Sequence, residues 1–428
     1  MLLATPRIQD GFSGPAVAPK RHMWDARPNS AVRNHAPQPL ELPAQMALSV
    51  VTTAAGLEAL EDEWNALFAE CGRDIHLFQS FNWIWHWHNH FLAHQSKAAT
   101  ARTLYIVTGR YNGKLALICP FVRDRRAGFT TLRFAGDLIS QYGDVLLDEK
   151  HGGRELLARA WSLITESSRA DVIALRKVRA DSNLAQFLDQ SNAIITDRQI
   201  APYLDLSSAT DYGSYEQRYS GKARKNRRRL VRRFEERGPA TANILKGGVR
   251  AGEVAELSVS LKRAWLKQRG LISPALSKEE MRPFFAAVAA DSERPVGAVV
   301  TYLTSCGETA AIEVAFDCKG RRAAFLVVYA LKFEQAGAGQ IVFEQSIRDA
   351  MKDKIGVFDL LAPGDAYKFD WADGSVEVLD WAQGLTPLGR TFAKCYLNYG
   401  RAKLKHAIIA AGRLKQRLMH GRPLGRQA

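Results

Sequence analysis

The sequence predicts an α/β fold (α+β in its mixed order of elements) built from two copies of one unit. Two helices, three strands, a loop, a further helix and a further strand follow one another in residues 57–175 and again in residues 252–361. The strand runs are rich in β-branched and aromatic residues, whereas the helical runs repeat their apolar residues at helical spacing. Each copy should therefore form a mixed sheet flanked by helices.

The first copy contains a hairpin signal, Asn112-Gly113, because this pair readily adopts the positive φ angles of a tight turn. Around it we predict helices at 57–70, 81–92 and 154–165, and strands at 104–110, 114–123, 130–136 and 172–175. The second copy predicts helices at 252–267, 278–289 and 341–351, and strands at 296–304, 309–317, 323–333 and 356–361.

In the second copy, Gly337 and Gly339 lie between a strand and a helix. Glycine lets the backbone come close to a ligand, and the first amides of a helix point outward without intrahelical partners. This arrangement is typical of phosphate sites, although an ordinary tight connection has the same pattern. The first copy has Gln141-Tyr-Gly-Asp144 instead, and a carboxylate there would repel a phosphate. We therefore expect any phosphate-bearing ligand in the second copy.

Length and composition fit two domains with terminal segments. The chain has 428 residues, of which 46% are apolar, and it has no uninterrupted apolar run of about 18 residues that would predict a membrane span. We predict a flexible leader at 1–48, domains at 49–205 and 206–386, and a tail at 387–428. The five cysteines are scattered without disulfide or zinc spacing, so we expect a cytoplasmic protein with no metal.

The net charge of +15 comes from two segments. Residues 218–237 hold ten basic and two acidic residues, and residues 388–428 hold ten basic and none acidic. On the first segment, a predicted helix, Arg228, Arg232 and Arg233 could clamp an anionic acceptor such as a sugar nucleotide, a lipid-linked sugar or nucleic acid. The alternative is a solvated helix face.

The second basic segment has an apolar stripe at Leu404, Ile408, Leu414 and Leu418, surrounded by lysine and arginine. A basic amphipathic helix suits an anionic membrane surface, which predicts peripheral contact with the inner face of the plasma membrane. A helix docked on the domain explains the same pattern.

Several short motifs carry a family resemblance. They are FQSFNW at 78–83, QYGDVLL at 141–147, AGQIV at 338–342 and DLLAPGDAYK at 359–368. With them, residues 57–381 resemble the GNAT-type acetyltransferases of the CelD/BcsL branch, linked by name to cellulose and exopolysaccharide synthesis and related to FemAB-like transferases. The resemblance implies tandem GNAT-like domains, acetyl-CoA as co-substrate, and a loop for it. That loop would be Gln335, Gly337, Ala338, Gly339 and Gln340, where one spacer of the usual family pattern is missing.

Acyl transfer needs an amine that loses a proton, a polarised carbonyl and a stabilised leaving group. Asp359 could act as a base or fix a turn, Tyr367 could protonate the leaving group, and Lys368 could hold an anion or steady developing charge. Their structural alternatives are a turn cap for Asp359 and surface ion pairs for Lys368. Glu313 is a further candidate base, because a buried strand carboxylate has a raised pKa, unless its side chain faces outward.

The leading functional hypothesis is an acetyl-CoA-dependent transferase acting on an amino or hydroxyl group of a sugar or polysaccharide precursor. A second hypothesis is FemAB-like aminoacyl transfer from charged tRNA, in which the basic helix would contact the RNA backbone. A third is a non-catalytic partner of polysaccharide export, supported by the missing spacer in the glycine loop.

Overall fold

The computed structural model describes residues 45–93 and 101–400. Within these residues, thirteen strands form one mixed sheet. The strands are β1 Met46–Val51, β2 Ala101–Tyr111, β3 Lys114–Arg126, β4 Phe129–Phe134, β5 Leu146–Leu147, β6 Val172–Arg179, β7 Ile194–Asp205, β8 Ala240–Lys246, β9 Ala298–Ser305, β10 Glu308–Cys318, β11 Arg321–Tyr329, β12 Val357–Asp359 and β13 Gly374–Gly384.

The helices pack against this sheet. They are α1 Ala54–Glu58, α2 Glu61–Cys71, α3 Phe81–Phe91, α4 Gly153–Ser167, α5 Asn183–Asp189, α6 Tyr212–Tyr215, α7 Gly221–Glu235, α8 Val249–Gln268, α9 Met281–Ala290, α10 Ala338–Lys352, α11 Ala366–Phe369 and α12 Pro387–Thr391. Short 3-10 turns lie at His76–Gln79, Leu206–Ser208, Glu216–Arg218 and Leu331–Ala336, and Phe392–Gly400 forms a π-type helix. No helix of the described ranges is long and apolar enough to cross a bilayer.

The sheet order shows that the two copies exchange their last strands. Strands run β1-β2-β3-β4-β6-β13-β7-β12-β11-β10-β9-β8, with β5 beside β3. β7 ends the first copy, yet it pairs with β12 and β13, while β13 ends the second copy and pairs with β6 and β7. The pairs β4–β6 and β11–β12 are parallel, as expected where a helix connects two neighbouring strands.

The mixed α/β fold and its repeated order of elements are confirmed. Asn112 and Gly113 have φ angles of 49° and 80° in the hairpin between β2 and β3. The strand expected at 323–333 was too long, since it ends at Tyr329 and a 3-10 turn follows. The helix expected at 57–70 is broken into α1 and α2.

At the termini, the outcome is mixed. Residues 46–48 were wrongly assigned to the flexible leader, because Met46–Val51 pairs with β2 as an edge strand. Residues 1–44 lie outside the described residues, and so does the amphipathic stripe from Leu404 to Leu418. The boundary between domains at residue 205 stays a prediction; the sheet itself continues across it.

An aromatic cluster holds the two copies together on one face of the sheet. Trp83 of α3 makes edge-to-face contacts with Phe284 of α9 and Phe316 of β10, each with ring centroids 5.5 Å apart. Phe325 of β11 packs into the same cluster. Such pairs contribute about 0.5–1.5 kcal/mol each beyond the burial of their apolar area. The sheet face that carries α8 and α9 is therefore rigid, and α10 covers the opposite face.

Candidate active site

The strands β11 and β12 pair for only three residues and then separate. Arg321–Ala323 lies beside Val357–Asp359, and beyond this point β12 ends while β11 continues to Tyr329. Among the described residues, the edge of β11 that faces β12 has no strand partner after Ala323. A strand edge presents unpaired N–H and C=O groups. We call this gap the β11–β12 opening.

A β-bulge lies at the entrance to the β11–β12 opening. On β10, Val314 pairs with Leu326 while the next residue, Ala315, pairs with Ala324, so Phe325 is the extra residue of β11. A bulge bends its strand and re-aims the groups beside it. It therefore helps to separate β11 from β12 here.

The opening contains a small cavity of ≈ 50 Å³. Its walls come from the loop after β4, from α8, from β11, from α10 and from the turn that leads into α11. The lining residues are Gln141, Lys262, Ala324, Phe325, Val327, Phe343, Leu360, Leu361, Ala362, Pro363, Tyr367 and Lys368. The first copy thus supplies one wall of a cavity in the second.

Lys368 is held inside the turn after β12. Its Nζ donates to the carbonyl oxygens of Leu361 at 2.9 Å and Pro363 at 2.8 Å, and the residue is only 5% exposed. Burial lowers the pKa of Lys368 to about 8, although Asp365 and Asp359 oppose the shift. The alternative of surface ion pairs for this lysine is wrong. Tyr367 lies beside it with 43% of its surface exposed, and its catalytic role stays a prediction.

Asp359 is completely buried and accepts hydrogen bonds on both oxygens. Oδ1 accepts from the Tyr142 hydroxyl at 2.8 Å and from the Leu361 N–H at 2.9 Å. Oδ2 accepts from Arg321 at 3.0 Å and Arg179 at 3.4 Å. These contacts favour a role in fixing the turn over the role of a base. The turn that Asp359 fixes is at Leu361, not at Gly364 as expected. Because Tyr142 and Arg179 belong to the first copy, Asp359 also joins the copies.

Glu313 is buried on the sheet face that α10 covers. It pairs across the sheet with Thr301 of β9, and neither of its oxygens has a hydrogen-bond partner within the described chain. Burial raises the pKa of Glu313 to about 8, tempered by the nearby Ser346 hydroxyl, which lies outside hydrogen-bond geometry. The outward-facing alternative is wrong, and the role of a base stays a prediction.

The glycine loop leads directly into α10. Gly337 is the N-cap residue with a φ of +73°, a conformation that side chains rarely adopt, and it provides no capping side chain. Gly339 lies in the first turn, where a Cβ would approach the Tyr329 ring to 3.0 Å. Gln335 and Gln340 are exposed, whereas the Ala338 side chain is buried. Only the backbone around the glycines is suited to cradle an anion, and it lies at the far end of β11 from Ala323.

The basic helix α7 crosses this loop on the α10 side of the sheet. Leu230 of α7 lies 2.9 Å from the place where a Cβ of Gly337 would be. Arg228, Arg232 and Arg233 are exposed, and Arg228 forms an ion pair with Glu216 at 3.0 Å. A wide groove of ≈ 670 Å³ runs between α7 and α10, lined in part by Arg227, Arg228 and Arg348. The structure thus places these arginines beside the loop rather than beside Lys368.

The corresponding gap of the first copy is filled by its own chain. β4 and β6 also pair briefly in parallel and then separate, but the loop after β4 occupies the space. The N–H of Gly143 donates to the carbonyl of Lys177 at 3.0 Å, and a Cβ on Gly143 would come within 2.3 Å of the Phe134 ring. This packing supports the placement of a ligand in the second copy.

Sequence reasoning missed two buried lysines near the opening. Lys262 of α8 lines it directly, and burial, with a contribution from Arg269, lowers its pKa to about 8. Lys177 of β6 donates to the side-chain oxygen of Gln141, and burial lowers its pKa to about 7. Lys262 could have been found from its position on the apolar face of α8; Lys177 gives no comparable local signal.

One group of possible metal ligands occurs in the described residues. Side-chain atoms of Glu70, Cys71 and Asp148 lie within 4.8 Å of one another. Glu70 already pairs with Lys114, and Asp148 already pairs with His151. This surface group has no connection with the β11–β12 opening.

Comparison with known proteins identifies the domain that contains the opening. Residues 221–369, less than half of the chain, match the family model described as an acetyltransferase (GNAT) domain. This segment includes α7, β11, the glycine loop, α10 and β12. This segment is therefore similar to an acetyltransferase (GNAT) domain. No curated protein matches the chain.

Three solved structures are distantly similar to this chain. A tandem GNAT protein from the clavulanic acid biosynthesis pathway is 14% identical, with a TM-score of 0.41 over 80% of this chain and 99% of that chain. FemX is 9% identical, with a TM-score of 0.48 over 75% and 95%. L-PGS from Bacillus licheniformis is 13% identical, with a TM-score of 0.44 over 83% and 96%. Likenesses this distant carry no conclusion about activity.

Proposed function

We propose that this protein transfers an acyl group from acyl-CoA, with acetyl-CoA as the donor, to an amino or hydroxyl group. The observation that carries the proposal is the β11–β12 opening with the glycine N-terminus of α10 at its end, both inside the GNAT domain. A thioester in the opening would lie along the unpaired edge of β11, and a phosphate would meet the first amides of α10.

The geometry fits an elongated donor. The part of β11 after Ala323 extends over six residues, which is about 20 Å at the rise of a strand. The edge presents backbone N–H groups along that length, and such groups polarise a carbonyl when they are fixed in place before the reaction. Glycine at position 339 leaves room for the donor beside the first turn of α10, because any side chain there would crowd the Tyr329 ring.

Lys368 is the best-placed group for taking the proton from the acceptor. A neutral lysine amine has two N–H bonds and one lone pair. The carbonyls of Leu361 and Pro363 use two donors, so the neutral form would be fully satisfied and would keep its lone pair for the opening. With a pKa of about 8, an appreciable fraction is neutral near physiological pH. Glu313 is on β10 with its side chain facing α10, so it would need a relay to reach the opening.

The acceptor belongs to a sugar or polysaccharide precursor in this proposal, in cellulose or exopolysaccharide synthesis. Its support is the resemblance of the motifs at 78–83, 141–147 and 359–368. A location in the cytoplasm, with peripheral contact to the membrane through the tail, follows from the same proposal.

Calorimetric titration of the full chain with acetyl-CoA tests the donor, with CoA and total tRNA titrated in parallel. We expect saturable micromolar binding of acetyl-CoA, about −8 kcal/mol. Binding of tRNA without acetyl-CoA would favour aminoacyl transfer instead. Silence with all three ligands would favour the non-catalytic partner.

A matched pair of variants tests the glycine loop. Gly339→Asp should weaken acetyl-CoA binding by about tenfold or more, because it places a negative charge at the phosphate position. Gly339→Asn has the same shape, makes the same contact with Tyr329, and should bind more tightly than the Asp variant. Equal affinities in the two variants would remove the loop from the phosphate site.

A further inference from the structure

Three hydrogen-bond donors line one face of α8 beside the opening. Lys262, Trp265 and Arg269 follow one another at spacings of three and four residues, so they lie on one side of the helix. The Lys262 ammonium lies 4.3 Å from the centre of the Trp265 ring, and the Arg269 guanidinium lies 4.0 Å from it. We call these three side chains the donor row.

The donor row is buried at Lys262 and Trp265 and half-buried at Arg269, and it is incompletely satisfied. Lys262 and Trp265 are 5% and 8% exposed. Within residues 45–93 and 101–400, the Trp265 Nε1 and the Arg269 Nη1 have no hydrogen-bond partner, and the Lys262 Nζ lies over the indole ring. Buried donors without acceptors are rare in folded proteins, because each loses its hydration. The two donors without acceptors, on Trp265 and Arg269, therefore indicate an acceptor-rich ligand beside the row.

The charges around the row favour an anion. Arg269 is partly neutralised by Glu334, to which its other nitrogen donates. Besides burial, the positive charge of Lys368 lowers the pKa of Lys262, whereas the carboxylate of Asp365 raises it. An anion beside Lys262 would stabilise its positive charge and satisfy the Trp265 and Arg269 donors, which have no hydrogen-bond partner among the described residues.

We propose that the donor row binds a carboxylate or phosphate group of the acceptor, so that the preferred acceptors carry an anionic group close to the reacting amine or hydroxyl. The assignment to the acceptor rests on the proposed function, since α10 already provides amides for the phosphates of the donor. The row itself lies on α8, on the opposite face of the sheet from α10, and lines the opening directly through Lys262.

Binding to the row can be measured without turnover. The lysines of the full chain are dimethylated with ¹³C-formaldehyde, and the signal of Lys262 is identified by its loss in Lys262→Met. Inorganic phosphate or acetate should raise the titration midpoint of this signal by about one pH unit or more, because a nearby anion favours the charged amine. Lys267, exposed on the same helix, provides a control signal that should not move. An unmoved Lys262 signal would overturn the site.

Addition of CoA separates the two possible sources of the anion. Phosphate should still move the Lys262 signal when CoA is saturating, because the acceptor anion and the donor occupy different places. If CoA alone moves the signal to the same end point and phosphate adds nothing, the row holds the donor's phosphates and the proposal is overturned.

Two lysine variants distinguish anion binding at the donor row from the binding of acetyl-CoA in the proposed function. Lys262→Met should lower phosphate affinity about 10-fold or more and leave acetyl-CoA affinity unchanged, whereas Lys267→Met should change neither. Loss of acetyl-CoA affinity in Lys262→Met would overturn the assignment to the acceptor. If the wild type does not bind acetyl-CoA, the proposed function fails, while the response of Lys262 to phosphate still decides whether the row is an anion site. Methionine should fit the apolar wall around position 262, so we expect Lys262→Met to fold. The urea midpoint of the variant checks this.

Discussion

Asp359→Asn should lower the free energy of unfolding by about 3 kcal/mol. Removal of one partner from a buried ion pair costs about 3–5 kcal/mol, because the remaining charge stays buried without its counter-charge. Here Arg179 also pairs with Asp181, and Arg321 also pairs with Asp74, so each arginine retains one carboxylate. The low end of the range therefore applies.

Urea denaturation followed by tryptophan fluorescence measures this loss from the shift of the midpoint, provided that the slope with denaturant is unchanged. Asp181→Asn is the matched control, because it removes a carboxylate from the same Arg179, yet its side chain is 45% exposed. An exposed pair contributes about 0–1 kcal/mol. The double variant Tyr142→Phe with Asp359→Asn should lose less than the sum of the two single changes, because the hydroxyl and the carboxylate share one bond.

The role of Asp359 as a buried, stabilising ion-pair partner is refuted if Asp359→Asn destabilises the protein no more than Asp181→Asn does. A further outcome would restore the role of a base. If Asp359→Asn keeps wild-type stability and acetyl-CoA affinity but abolishes acyl transfer, the carboxylate acts on the reactants rather than on the turn.

Two other predictions concern groups on the α10 side of the sheet. The pKa of Glu313 is raised from 4.5 to about 8, so the folded protein keeps a proton that the unfolded chain releases, and stability falls as pH rises through this window. Glu313→Gln should remove that loss of stability. The urea midpoint of the variant should therefore rise relative to that of the wild type between about pH 5 and about pH 8. A difference between the two midpoints that stays constant with pH would contradict the buried proton. Replacement of Arg228, Arg232 and Arg233 by Ala should lower the calorimetric affinity for acetyl-CoA, because α7 lies beside the loop proposed for the donor's phosphates. Unchanged acetyl-CoA affinity with weaker acceptor use would instead assign α7 to the acceptor.

The local elements of the fold were predictable because their signals are local. The Asn112-Gly113 turn and the apolar, β-rich runs on either side of it define β2 and β3 without knowledge of their neighbours. β13 carries a similar signal, since Val376 and Val378 alternate with charged residues, yet it was not predicted. Its placement beside β6 could not follow from any window of sequence, because pairing between distant strands is decided by packing in the whole sheet.

The residues of the candidate site also differ in how well the sequence predicted them. The glycine loop was found from residue types, because Gly337 and Gly339 stand between a strand pattern and a helix pattern. Lys262 was missed, since a lysine in a helix is usually solvated, although it falls on the same face as Val259 and Trp265. The role of Asp359 depended on Tyr142, whose distance in sequence hides the contact.

The exchange of β7 and β13 also determines the order in which the protein can be completed during synthesis. The first copy emerges from the ribosome early, but the edge of β6 stays uncovered until β13, the last described strand, has been made. An uncovered edge strand invites pairing with other chains, and folding that waits for a distant segment is slow. A nascent chain of this protein should therefore depend on chaperones for much of its translation, and fragments that stop before residue 374 should aggregate rather than form a separate first domain.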